Sequence, residues 1–164
     1  RPMTADHTPS DTQPTNPYLE VLCDLYFNLP FNRFLELSFA ALDERFLTLQ
    51  FPMKPDFIGN SFKNILHGGV ISSAIDACGG LHAMSAGYQK MQQLPKQEII
   101  NRLKHSSTID LRVDYLRPGQ GELFTVTSEL LRSGRRVSVS RMKLINEKGS
   151  VLAAGSATYL IETD

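Results

Sequence analysis

The run from His67 to Tyr88 contains one carboxylate, Asp76, and no lysine or arginine. It reads as a helix, with Val70, Ile71, Ala74, Ile75, Cys78 and Leu81 forming one apolar stripe. The opposite side carries Gly69, Ser72, Ser73, Asp76, Gly80 and Ala83, small residues that let another backbone or a ligand approach closely. A helix of this composition has no charged face to turn to water. The expectation is therefore a central helix, buried all round, that the rest of the chain must wrap.

The flanking segments supply the wrapping. Residues 1 to 17 hold four of the nine prolines, with only Met3 and Ala5 as apolar residues, and read as a disordered tail. Residues 18 to 164 read as one domain. Asn16 and Pro17 have the types favoured at a helix N-cap and first position, and Tyr18, Val21, Leu22, Leu25 and Tyr26 repeat at helical spacing as far as Pro30. Leu37 to Phe51 reads as two strands turning at Leu42 to Arg45, and Pro52 and Pro55 then impose a loop. Pro95 to Lys104 is a short helix with Ile99, Ile100 and Leu103 on one edge, read as a surface excursion. After it come four strands, marked by the alternation Ile109, Leu111, Val113, Tyr115, then Phe124, Val126, Ser128, Leu130, then Val137 to Asn146 and Val151 to Ile161. Their turns fall at Arg117 to Gly119, Ser133 to Arg135 and Asn146 to Gly149, short connections that imply neighbouring antiparallel strands. The fold class is α+β, an antiparallel sheet around a long helix.

Composition excludes several functions. A chain of 164 residues with 17 Lys+Arg and 17 Asp+Glu is neutral, unlike a generic nucleic-acid binder. A local excess exists between Arg102 and Lys143, nine basic residues against four acids; it reads either as a phosphate-facing patch or as solvated strand charges. No apolar run approaches the ~20 residues of a membrane helix, so no membrane insertion is expected. Cys23 and Cys78 are too few for a disulfide scaffold and a reducing, cytoplasmic setting is expected. The four histidines lack ligand spacing, and neither a metal nor another cofactor is expected. His82 lies on or beside the core stripe, and Cys78 is read as core packing.

The chemistry-bearing motif is Ile65-Leu66-His67-Gly68-Gly69-Val70. Glycines at a helix start expose N–H groups at the positive end of the dipole, which makes Gly68 and Gly69 an oxyanion-hole candidate or simply an easy passage from loop to helix. His67 is either a satisfied helix-start residue or a proton carrier. Asp76, a lone carboxylate in an uncharged helix, is the sharpest candidate for a tuned acid or base. Eight residues place it about 12 Å along the helix and roughly 80° round from Gly68, too far for both to touch one carbonyl. Either the substrate is long or two subunits each supply half a site.

The runs Asn64 to Asp76 and Asp110 to Gly119, together with Pro30-Phe31-Asn32-Arg33, resemble the hotdog-fold thioesterases of the PaaI type, and among them the bacterial YigI-like branch. The resemblance covers nearly all of residues 18 to 161. It implies a long helix wrapped by an antiparallel sheet, paired edge to edge into a homodimer with active sites at the interface, and dimers that pair further in some relatives. It also implies that the Gly68 N–H, with Gly69 nearby, polarises a thioester carbonyl while Asp76 of the partner subunit attacks it or activates water. A further family polar residue falls at Thr108. Relatives carry Asn or Gln six residues before the motif histidine; here that residue is Ser61, flanked by Asn60 and Asn64 as alternative polar groups. Residues 87 to 105 read either as a lid or acyl-tunnel wall, or as an inert insertion.

The function implied is hydrolysis of acyl-CoA thioesters, medium or long chain, with an aryl acyl group as an option. Ser72, Ser73 and Gly80 would line the acyl group, and Arg132, Arg135 and Arg136 are candidates for the nucleotide phosphates on charge alone. The rival from another class is a non-catalytic acyl-thioester-binding or regulatory module, supported by Ser61. A third, a hotdog dehydratase, would need His67 as its catalytic histidine.

Overall fold

The computed structural model describes residues 17–163, so residues 1–16 of the proline-rich tail, the Asn16 cap among them, lie outside the described residues. Helix α1 spans Pro17–Phe27 and helix α2 spans Pro30–Phe34. Leu19, Leu22 and Cys23 occupy the buried side of α1, whereas Leu25, which its spacing put on the core stripe, is 50% exposed. The i, i+3, i+4 set of Leu19, Leu22 and Cys23 fills the middle of the face and leaves Leu25 on its rim. Buried Asn32 of α2 donates to the Tyr26 carbonyl at 2.9 Å, satisfying an orphan acceptor at the end of α1.

Strands β1 (Ser38–Leu42) and β2 (Phe46–Pro52) form the expected hairpin. Asp43 closes it, its Oδ1 accepting from the N–H groups of Arg45 and Phe46 at 2.7 Å each. A 3-10 turn at Pro55–Phe57 leads into a small two-stranded sheet, β3 (Ile58–Asn60) and β4 (Ile65–Leu66), too short to show in the sequence pattern. Helix α3 follows at Gly68–Lys90, then α4 at Lys96–Leu103, then β5 (Ser107–Tyr115), β6 (Leu123–Ser133), β7 (Val137–Asn146) and β8 (Val151–Leu160).

The large sheet has the order β1-β2-β6-β7-β8-β5, and every pairing is antiparallel. One expectation fails here. The short connection after β5 does not join neighbours, because β5 pairs with β8 while β6 pairs with β2 and β7. The chain crosses from edge to interior at Leu116 to Glu122, where Leu116 and Arg117 both donate to the Leu152 carbonyl and leave the sheet plane. As a result β5 is a nine-residue free edge.

The core lies between one face of this sheet and α3. Leu47, Leu49 and Phe51 of β2, Phe124 and Val126 of β6, and Met142 and Leu144 of β7 alternate inward and meet Ala74, Ile75, Cys78 and Leu81 of α3. Each large side chain so buried contributes about 1.5–3 kcal/mol. Small residues set the spacing. A Cβ at Gly79 would lie 2.3 Å from Tyr159 Oη and 2.9 Å from Met142 Sδ, so only glycine admits the tyrosine there.

Two other expectations need correction. Helix α4 is not a loose surface excursion, since Ile99 and Leu103 are buried in the same core. Nor is α3 buried all round: Gly69 is exposed and Ser72, Ser73 and Asp76 are half-buried, an open side that runs along β5. Covering of α3 comes from α1 and α4, and both pack against its C-terminal half.

Candidate functional site

The start of α3 is anchored before any chemistry is considered. The His67 N–H donates to Phe57 O at 2.7 Å, and its Nδ1 accepts from the Gly69 N–H at 2.9 Å, making His67 the N-cap. Nδ1 as acceptor puts the ring proton on Nε2 in the neutral form. This satisfied helix-start role also takes Gly69 out of the donor set. Val70 donates back to His67 O, leaving the Gly68 N–H as the free donor of the first turn among the described residues. Over Gly68 lies Tyr115 of β5, whose hydroxyl donates to Gly68 O at 3.0 Å; a Cβ at residue 68 would sit 3.3 Å from the tyrosine ring.

Eight residues on, Asp76 emerges on the open side of the helix. Its Oδ1 accepts from the Thr108 hydroxyl at 2.9 Å, the residue singled out at the start of β5. Burial lifts the Asp76 carboxyl above the usual carboxylate range, against the pull of the Thr108 hydroxyl on the charged form. Two tyrosines fix the helix at this point: Tyr159 donates to the Asp76 carbonyl at 2.9 Å and Tyr26 to the Ala77 carbonyl at 2.8 Å. Burial, with Asp76 beside them, pushes both phenols far above their ordinary pKa, so they stay protonated donors. Sequence reasoning missed Tyr115 and Tyr159 as parts of the site and used Tyr26 only as a stripe residue. The signal was the pair Gly79-Gly80, since Gly80 faces Tyr26 and Tyr159 rather than open space.

The remaining candidates separate into three places. Ser72 and Ser73 both donate to the Gly69 carbonyl, at 3.0 and 2.6 Å, and so back-bond their own helix. Asn60, Ser61 and Asn64 lie on the exposed β3–β4 turn: Asn60 Oδ1 accepts from the Phe62 N–H at 3.1 Å, and Asn64 has φ 47°, a left-handed conformation that asparagine tolerates. Arg132 lies at the end of β6 and Arg135 and Arg136 on the β6–β7 turn, which Lys90 ties to the far end of α3 by donating to Ser133 O, Ser133 Oγ and Gly134 O. Twenty-two residues of helix, about 33 Å, part that turn from Gly68. Within one chain the arginines are not brought to the helix start.

Away from the site, His82 is buried and bonded through Nδ1 to Ser128 Oγ at 3.1 Å, and desolvation pushes its pKa down to about 4. Cys78 Sγ points at the Leu47 and Val126 carbonyls in the core, and burial pushes its thiol far up. Both are packing groups. Among the described residues no three His, Cys, Asp or Glu gather where they could hold a metal, and no helix is long and apolar enough to cross a membrane.

The described site thus comprises a free amide at the start of α3, a half-buried carboxylate on the same helix and a free sheet edge beside them. A family model described as the thioesterase superfamily matches residues 63–153, from the β3–β4 turn to the start of β8. The chain belongs to the thioesterase superfamily. It is 43% identical over 135 residues to the medium/long-chain acyl-CoA thioesterase YigI of Escherichia coli, covering 82% of this chain and 87% of that protein. A Shewanella oneidensis crystal structure described as related to the superfamily superposes with a TM-score of 0.82 at 39% identity, over 90% of this chain and 99% of its own. A thioesterase of Haemophilus influenzae, at 19% identity and a TM-score of 0.67 over 88% of this chain and 91% of its own, shares the fold. That fold is the hotdog of a thioesterase, with α3 as its central helix.

Proposed function

We propose that this chain hydrolyses acyl-CoA thioesters of medium or long chain, with Asp76 as the reacting carboxylate and the Gly68 N–H as the donor to the thioester oxygen. The observation that carries the reading is the Thr108–Asp76 hydrogen bond on the open side of α3: a carboxylate half shut from water, held in one orientation, raised in pKa and facing out of the protomer. Asp76 takes a proton from water as the water oxygen bonds to the acyl carbon. The carbonyl oxygen gains charge against the Gly68 N–H, and the carbon–sulfur bond then breaks to give free acid and the CoA thiolate, which takes up a proton. A direct attack by Asp76 would give an acyl-enzyme anhydride instead, and single-turnover hydrolysis in heavy-oxygen water separates the two by whether label enters the carboxylate.

Gly68 and Asp76 of one chain are about 12 Å apart along the helix, so each site takes its amide from one protomer and its carboxylate from a partner. The free edge β5, with Ile109 56% exposed, supports pairing with a second copy into a homodimer. Tyr115 holds the Gly68 peptide and Thr108 the acid, so β5 serves both halves. Arg132, Arg135 and Arg136 remain candidates for the CoA phosphates of a site shared between protomers. The free, buried thiols of Cys23 and Cys78 fit a reducing, cytoplasmic setting.

The test is thiol release from acyl-CoA substrates of graded length, and from an aryl substrate, by wild type and Asp76→Ala. Turnover in wild type that collapses in the variant is expected. Tight acyl-CoA binding without turnover in either protein would favour a binding module instead.

A further inference from the structure

Toward the C-terminal end of α3, a cavity of about 460 Å³ lies between α1, α3 and α4. Its wall is mostly apolar, with Tyr26 from α1, Met84 and Tyr88 from α3, and Ile100 and Leu103 from α4; Lys104 is its one charged residue, and Ser106 sits where the chain enters β5. This is the size and character of a site for an apolar ligand.

Two connections tie the cavity to the carboxylate. Tyr26 is both a wall of the cavity and the donor to the Ala77 carbonyl, one residue from Asp76. Ser106 lies two residues before Thr108, which holds Asp76, and two extended residues span about 7 Å. The Ser106 hydroxyl is also shut from solvent without a hydrogen-bond partner, the one polar side-chain atom of the wall left in that state.

We propose that this chamber holds the alkyl tail of the acyl group and sets the chain length accepted, with Met84, Tyr88 and Ile100 as the specificity-determining residues. The inference rests on the acyl-CoA reading above and deepens it. From Asp76, Met84 lies about 12 Å and Tyr88 about 18 Å along the helix. An extended hydrocarbon built from bonds of about 1.5 Å advances about 1.3 Å per carbon, so those distances correspond to roughly 9 and 14 carbons. The tail belongs to the protomer that supplies the acid, because Tyr26, Thr108 and Asp76 are joined within one chain. Helix α4 then has a definite use. It closes the outer wall of the chamber, which gives residues 87 to 105 the tunnel-wall role.

Met84→Trp fills the chamber from α3 and Ile100→Trp from α4; Ile100→Ala widens it. With acyl-CoA substrates from 4 to 16 carbons, either tryptophan should lower kcat/KM for 12 to 16 carbons at least tenfold while changing the value for 4 to 6 carbons less than twofold. Ile100→Ala should shift the profile toward longer chains. A second readout does not depend on turnover: a fluorescent long-chain fatty acid should bind wild type and bind the tryptophan variants at least tenfold more weakly. If wild type turns over acyl-CoA but the variants keep its length profile and its fatty-acid affinity, the chamber proposal is overturned and the thioesterase reading stands. If wild type binds the fatty acid and the tryptophans abolish binding while no acyl-CoA is hydrolysed, the chamber stands and the catalytic reading falls.

Discussion

The two halves of α3 are built from the same kinds of residue and do opposite things. From Gly68 to Asp76 the helix is covered on one side only; its other side faces the free edge β5, and its polar groups are held singly, by Tyr115 at Gly68 and Thr108 at Asp76. From Ala77 to Tyr88 it is closed in by α1, α4 and the sheet, and Cys78 and His82 are turned inward to carbonyls and to Ser128. Small residues serve both halves for different ends. In the first they leave room at a surface; in the second they admit tyrosines.

This comparison makes substitutions in the two halves separable. The largest effect belongs to Asp76→Ala, expected to lower kcat by 10²–10⁴ with acyl-CoA binding little changed. Asp76→Asn should be as inactive, yet melt no lower than wild type, because folding raises the pKa of this carboxyl and so its ionised form opposes folding. Activity of wild type should fall on acidification through an apparent pKa above the ordinary carboxylate value of about 3.9. A loss of stability on Asp76→Asn would mean that the first half is structural after all.

Next in size is the acid response of His82. Its pKa is about 6.5 unfolded and about 4 folded, so between those values the unfolded chain binds the proton first and stability falls as pH falls, by about 3 kcal/mol in all. Urea midpoints measured from pH 7 to pH 4 should show this loss, and His82→Gln should flatten the profile while turnover at pH 7 is retained. Gly79→Ala forces a methyl onto Tyr159 and Met142 and should cost about 1–3 kcal/mol, read as a fall in melting temperature. The smallest effect is expected at the Arg136–Glu162 pair, 3.8 Å apart and exposed: Arg136→Ala should change stability by less than about 0.5 kcal/mol, so that any rise in KM for acyl-CoA reports phosphate contact alone.

What the sequence made legible follows the same division. The central helix, its cap at His67, the isolated Asp76 and the alternating strands are local patterns, and the structure has them where the periodicity and spacing put them. The Thr108 position came from the family resemblance, and its contact with Asp76 could not be seen in spacing, because 32 residues separate the two. Long-range placement was illegible for the same reason. Nothing in Arg117-Pro118-Gly119 distinguishes a hairpin from the crossover that puts β5 on an edge. Arg132, Arg135 and Arg136 share only their charge in the sequence, and the end of β6 with the β6–β7 turn carries them to the far end of α3. The packing of α4 was hidden because Ile99, Ile100 and Leu103 look alike whether a helix lies on a surface or closes a chamber.

The central claim is that one site is made from the helix start of one protomer and Asp76 of another, and subunit mixing tests it most directly. Gly68→Pro removes the donor N–H while keeping a residue suited to a helix's first position, and His67 already has φ −62° and ψ 135°, which a residue before proline favours. Gly68→Pro and Asp76→Ala proteins, each inactive alone, are unfolded together in equal amounts, refolded and assayed for thiol release. With two-fold symmetry half the dimers are mixed and one of their two sites is intact, so about a quarter of wild-type activity should return. No recovery, from a mixture shown by mass to contain the mixed dimer, would contradict the shared site.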